Sequence, residues 1–161
     1  MMNNKDFNAE RVSKTATFII NASVDTVFPL FGAFEERKWA EGWEPTLIYP
    51  SAEVIEEGTT FRTKAYDPEE VDYVWRVNQF DPAAYLIQYL IFTPNRYWTI
   101  TVRCAPVRDG QTQTHVTYTY LGVNQLGNQL NKQSLDRMYA NNLNDWAEAI
   151  HLYLLESGET N

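Results

Sequence analysis

Val116, Tyr118 and Tyr120 alternate with His115, Thr117 and Thr119, and this strand pattern runs directly into one amphipathic stretch that occupies the rest of the chain. Along that stretch Leu135, Met138, Tyr139, Asn142, Trp146, Ile150 and Tyr153 recur at spacings of three and four, which places them on one helical stripe. The spacing predicts a single helix from about Gly127 to Glu156, roughly thirty residues and ~45 Å long at 1.5 Å per residue. Ser157 and Gly158 end it. An apolar stripe of that length must lie on an apolar surface, so a sheet that ends in this helix has to present a broad apolar face to it.

The upstream sequence supplies such a sheet. Residues 13–21 alternate and are rich in β-branched side chains, and further strands are expected at about 46–49, 59–65, 71–80, 85–92, 97–106 and 113–121. After the first strand, Ser23 is placed to cap a short helix with Asp25 in its first turn and Val27, Phe28 and Phe31 on its apolar face. Pro29 and Gly32 stop that helix, and a second short one is expected from about Phe34 to Ala40. The turns at Glu57-Gly58, Asp67-Pro68, Asp81-Pro82, Pro94-Asn95 and Asp109-Gly110 are short enough for an antiparallel meander. Val71, Tyr73, Trp75 and Val77 form one inward row, and Trp98, Ile100, Val102 and Cys104 another, each opposed by polar residues. The 85–92 run is apolar at both parities, so it is either covered on both faces or an edge.

One domain is expected over residues 13–156, with flexible ends at 1–12 and 157–161, because 161 residues suffice for a core without disulfides. A formal charge of −8 with thirteen scattered Lys and Arg argues against nucleic acid as a partner. No apolar run approaches the ~20 residues needed to span a bilayer, and the first residues are polar, so a cytoplasmic protein is expected. The single Cys104 fits a reducing compartment and reads as a buried structural thiol.

Catalytic and metal chemistry find little support. His115 falls on the wet face of its strand, and His151 lies beside the helical stripe. No serine stands in a nucleophile motif, no ligand spacing suggests zinc or iron, and no Gly-rich phosphate loop is present, so neither metal nor cofactor is expected. The acidic stretch Asp67 to Asp72 reads as a solvated hairpin and Glu35-Glu36 as helix surface. Asn142 stands out, because an amide within an apolar stripe must find a partner or lose on the order of 1–3 kcal/mol.

The order of one strand, two short helices, six strands and a long helix resembles the helix-grip fold of the START and Bet v 1-like superfamily (SRPBCC), and within it the polyketide cyclase/dehydrase and lipid-transport branch. Residues Ile20 to Phe28, with a cap, an acidic position and a Val-Phe pair, are similar to that family's first strand and helix opening; Trp75 to Pro82 followed by Tyr85 to Tyr89 resemble its mid-sheet hairpin. The resemblance implies an α+β fold, a curved antiparallel sheet of about seven strands wrapped on the C-terminal helix, with a cavity between them for a small hydrophobic ligand. The aromatic fraction of 14%, with five Trp and ten Tyr, suits such a cavity. Phe61, Tyr73, Trp75, Tyr89, Trp98, Tyr118 and Tyr120 on strands, with Met138 and Asn142 on the helix, are the expected ligand-binding walls, and Trp39 and Trp43 are expected at the mouth. Binding of a lipid, polyketide or aromatic molecule is the leading expectation, with a homodimer left open. The rivals are a cyclase/dehydratase-like enzyme, in which Tyr73, Tyr118, Tyr120 or Asn142 positions a carbonyl, and a protein-interaction module resembling the co-chaperone relatives.

Overall fold

The computed structural model describes residues 7–158. Seven antiparallel strands form one sheet: β1 (Arg11–Ile20), β2 (Thr46–Tyr49), β3 (Thr60–Lys64), β4 (Asp72–Asp81), β5 (Leu86–Phe92), β6 (Arg96–Arg108) and β7 (Gln111–Gly122). Their spatial order is β1-β7-β6-β5-β4-β3-β2, so six strands form a meander and the first closes against the last. The crossover from β1 to β2 carries helix α1 (Val24–Val27) and 3-10 turns at Phe28–Phe31 and Glu35–Lys38. Helices α2 (Gln125–Met138) and α3 (Asn144–Ser157) complete the chain. Of the ends expected to be flexible, residues 1–6 and 159–161 lie outside the described residues, while Arg11 and Val12 already pair with Leu121 and Tyr120.

The two faces of the sheet separate as the alternation predicts. On the outer face Ser13–Thr119, Thr15–Thr117 and Thr17–His115 pair across β1 and β7 at 2.9, 2.7 and 2.8 Å. Asn78 and Thr101 meet Gln88 there in the same way. The inner face buries Tyr73, Val77, Tyr89, Trp98, Ile100, Val102, Val116, Tyr118 and Tyr120. The ambiguous run 85–92 proves to be the central strand of the sheet, with Ile87, Tyr89 and Ile91 inward. Val71, expected inward, is 83% exposed, because it precedes β4 in the hairpin rather than belonging to the strand. Ser23 does precede α1, but its hydroxyl donates to Thr26 Oγ1 (3.1 Å) rather than capping a backbone amide.

The C-terminal segment is helical but not continuous. Asn124 caps α2, its side-chain oxygen accepting from the Gly127 amide at 2.8 Å. After Met138 the helix stops, and Asn142 and Leu143 take left-handed φ values of 56° and 60° before α3 begins. Asn is among the residues that tolerate this region, whereas Leu is not, and Leu143 is held there by complete burial. The break rotates the stripe: Leu143 enters the core, and Asn142 points outward and is exposed. Tyr139, at the end of α2, fixes this junction to the sheet by donating its hydroxyl to the Val116 carbonyl (2.9 Å) and accepting from the Tyr118 amide (3.2 Å).

Candidate functional site

Between the inner face of the sheet and the helices lies a cavity of about 580 Å³. Its sheet side is built from Tyr73, Trp75, Tyr89, Trp98, Ile100, Val102, Tyr118 and Tyr120; Trp39 and Trp43 close it from the crossover, and Met138 and Trp146 from the helices. Exposed residues Gly42, Glu44, Thr46, Arg62, Lys64 and Tyr66 belong to the same wall, which places the opening between residues 42–46 and the end of β3. A volume of this size suits a ligand of a few fused or linked rings.

Several of the wall's polar atoms are already committed to the protein. The Trp39 and Trp43 indoles donate to the Leu30 and Ala33 carbonyls at 2.7 and 2.6 Å. Trp75 donates to Thr63 Oγ1 (2.9 Å), and the Tyr89 hydroxyl to the Phe31 carbonyl (2.7 Å). Edge-on contacts such as Trp43–Trp75, with centroids 5.3 Å apart, further fix the ring orientations. These side chains thus show the cavity their apolar faces.

Nine of the eleven expected wall residues line the cavity: Trp39, Trp43, Tyr73, Trp75, Tyr89, Trp98, Tyr118, Tyr120 and Met138. Trp43 borders the opening, while Trp39 is buried. Phe61 is displaced from the wall because it stacks behind Trp75, with centroids 5.3 Å apart, and is wholly buried. Asn142 is turned away by the helix break, so it neither faces the cavity nor needs a partner inside. Both histidines lie elsewhere: His115 pairs with Thr17, and His151 accepts from the Asn21 amide. Cys104 is a buried thiol beside Thr114, raised by burial to about 11.

Two acidic elements read as surface in the sequence each turn at least one carboxyl inward. Glu36 sits in the 3-10 turn Glu35–Lys38 and lines the cavity. Its turn is held by the backbone, Glu36 N donating to the Gly32 carbonyl and Glu36 O accepting from Ala40 N at 2.8 Å. Its carboxyl has no hydrogen bond or ion pair with another described residue, and burial raises its pKa well above the ordinary carboxylate value. The hydroxyls of Tyr118 and Tyr120 likewise have no partner among the described residues, and burial raises both. A 3-10 turn lacks the clean 3.6-residue period, which is why sequence spacing alone did not turn Glu36 inward.

Asp67 and Glu70 form the second element. Both are buried and clamp Arg96, itself 1% exposed: Arg96 reaches Glu70 Oε1 at 2.7 Å and Asp67 Oδ2 at 3.1 Å, and also bonds Ser134 on α2 at 2.9 Å. Its guanidinium lies against the rings of Trp98, Tyr73 and Tyr120. Burial works against the charge on Arg96, but the Glu70 hydrogen bonds and charge outweigh it and carry the pKa above its ordinary value. Arg96 shares the parity of Trp98, so the alternation in Arg96-Tyr97-Trp98 was the signal that it points inward. Among the described residues no group of three or more His, Cys, Asp or Glu side chains comes together to hold a metal ion.

Comparison with known proteins agrees with this architecture. Residues 11–150 match the family described as polyketide cyclase / dehydrase and lipid transport. No curated protein matches the chain. Among solved structures, norcoclaurine synthase from Thalictrum flavum in complex with dopamine and hydroxybenzaldehyde superposes with a TM-score of 0.66 at 15% identity, covering 92% of this chain and 88% of that one. An uncharacterised protein from Rhizobium leguminosarum gives 0.61 at 17% identity, covering 92% and 97%, and Ara h 8.0201 gives 0.62 at 14%, covering 92% and 99%. These likenesses concern the fold. With a seven-stranded antiparallel sheet gripping C-terminal helices and a family match over most of its length, the chain belongs to the polyketide cyclase/dehydrase and lipid-transport family of the START/Bet v 1-like superfamily.

Proposed function

We propose that the protein binds a small, mainly apolar, ring-bearing ligand in the cavity between the sheet and α2–α3. One observation carries this reading: the wall is largely aromatic, and Trp39, Trp43, Trp75 and Tyr89 spend their polar atoms on the protein itself, turning apolar faces to about 580 Å³. Native mass spectrometry of the freshly purified protein, set beside its denatured mass, tests it. An added mass that vanishes on denaturation is expected, and the same spectrum distinguishes a monomer from a homodimer. Binding in a screen of lipids, polyketides and aromatic compounds that is unchanged in Trp75→Ala would sink the reading.

A second reading, an acid–base enzyme acting on a carbonyl compound, draws support from Glu36 and the Tyr118 and Tyr120 hydroxyls on one cavity wall. Two phenols, and a carboxyl while it holds its proton, are suited to donating hydrogen bonds to a carbonyl and its enol. Turnover of a carbonyl compound that survives Tyr118→Phe, Tyr120→Phe and Glu36→Gln together would remove it. A cytoplasmic location is supported by the lone buried thiol; among the described residues no helix is long and apolar enough to cross a membrane.

A further inference from the structure

The protein shows at Arg96 how it accommodates a cation below its surface. The guanidinium is flanked by two carboxylates and lies 4.7 Å from the centroid of the Trp98 ring, with Tyr73 and Tyr120 at 5.8 and 5.9 Å. Carboxylate and aromatic faces recur around Glu36. Trp39 and Trp146, with centroids 5.7 Å apart, line the same cavity as Glu36, as do Tyr89 and Tyr118, whose phenols its charge reaches. Here, however, no described side chain supplies a positive charge to the carboxyl.

The remaining charged groups of the wall do not fill that role. Arg62 pairs with Asp72 at 3.6 Å and Arg137 with Asp67 at 3.4 Å. Lys64 and Glu44 stand at the exposed rim and offset each other in sign. Among the described residues of the inner wall, Glu36 is therefore the ionisable group left without a charged partner, on a chain whose formal charge is −8. A carboxylate in apolar surroundings gains most from a partner that brings both a positive charge and a hydrogen-bond donor, and aromatic faces favour the same cation.

We infer that Glu36 is the polar anchor of the cavity and that its ligand is an organic cation, a ring-bearing molecule with one protonated amine. The inference rests on the reading of the cavity as a ligand site and narrows its chemistry. On binding, a protonated Glu36 gives up its proton to solvent and forms an ion pair with the ammonium group, so complex formation releases protons wherever the free protein still holds one at Glu36. Tyr89 keeps its bond to the Phe31 carbonyl, and Tyr118 is left free to contact the ligand.

The test uses a matched pair of probes, 1-naphthylmethylamine and the neutral 1-naphthylmethanol, titrated calorimetrically from pH 5 to pH 8 in buffers of different ionisation enthalpy. The amine is expected to bind wild type at least about tenfold more tightly than the alcohol, with proton release toward the acid end. Glu36→Gln should bring the two within about twofold and abolish the proton release, whereas Glu44→Gln at the rim should retain the preference. Equal binding of the two probes by wild type, or a preference that survives Glu36→Gln, overturns the anchor while the cavity reading stands. Binding of neither probe by folded protein, with no other apolar ligand found, overturns both.

Discussion

The Arg96 guanidinium lies 4.7 Å from the centre of the Trp98 ring, two residues along the same face of β6. From there it ties three parts of the molecule together: the β3–β4 hairpin through Asp67 and Glu70, strand β4 through the Tyr73 hydroxyl (3.2 Å), and α2 through Ser134. Because this knot borders the cavity, the shape of the site depends on a buried ionic cluster rather than on apolar packing alone.

Arg96→Met is therefore expected to destabilise the protein by about 3–5 kcal/mol, since it strands Glu70 as a buried charge and leaves Asp67 only the half-exposed Arg137. Arg96→Met combined with Asp67→Asn and Glu70→Gln should recover part of that loss. Urea unfolding of the single and triple variants checks this; a single variant as stable as wild type would remove the cluster's role.

Glu36 should make stability depend on pH with a particular sign. Burial raises its folded-state pKa, so the folded protein holds a proton that the unfolded chain has released. Its contribution is complete below the ordinary carboxylate value and is lost as pH rises toward the raised one. Thermal melts should show Glu36→Gln gaining on wild type as pH increases through that window. A difference that shrinks instead would contradict the burial of the carboxyl.

Tyr118 and Tyr89 should part company on losing their hydroxyls. Tyr89→Phe leaves the buried Phe31 carbonyl without its donor and should cost about 1–3 kcal/mol. Tyr118→Phe removes a hydroxyl with no partner among the described residues and should change stability by less than about 0.5 kcal/mol while altering ligand affinity. Denaturant midpoints and probe titrations on the two variants separate the roles.

Gly127 lies in the first turn of α2, where a side chain would collide with the backbone carbonyl of Asn95. Alanine normally favours a helix by ~1 kcal/mol over glycine, but here the collision with fixed backbone should win, and Gly127→Ala should lose roughly 1–3 kcal/mol. A stabilised variant in urea unfolding would refute the close approach.

The helix break offers a matched pair. Asn142→Gly, exposed and at positive φ, should be neutral or slightly stabilising and should leave ligand binding intact, whereas Leu143→Ala should cost about 2–5 kcal/mol. Thermal melts and probe titrations of both variants check that the stripe passes through Leu143 and not Asn142.

The sheet was readable because a period of two assigns Tyr73, Trp98 and Tyr118 to the inner face without knowledge of anything distant. The helical stripe was readable at Leu135, Met138 and Tyr139 and again at Trp146, Ile150 and Tyr153, but not at the left-handed kink between them, because nothing in Asn141-Asn142-Leu143 dictates that Leu143 accepts a strained φ in return for burial. Asp67, Glu70 and Arg96 were opaque for a different reason. They pair across 26 and 29 residues of chain, so Asp67 and Glu70 looked like surface until Arg96 was placed, and Arg96 itself showed only the parity it shares with Trp98. Glu36 escaped because a short 3-10 turn has no periodic face to betray it.

The anchoring of Trp39, Trp43 and Tyr89 to backbone carbonyls has an evolutionary side. Those bonds ask only for a main chain, which every substitution preserves, so the frame of the chamber is insulated from drift in its neighbours' side chains. The polar ends at positions 36, 118 and 120 lie outside that frame, so exchanges that keep the side chain's size, such as Tyr to Phe or Glu to Gln, alter the chamber's chemistry with little harm to folding. A lineage carrying this scaffold is thus free to retune what it recognises through a handful of single-residue steps.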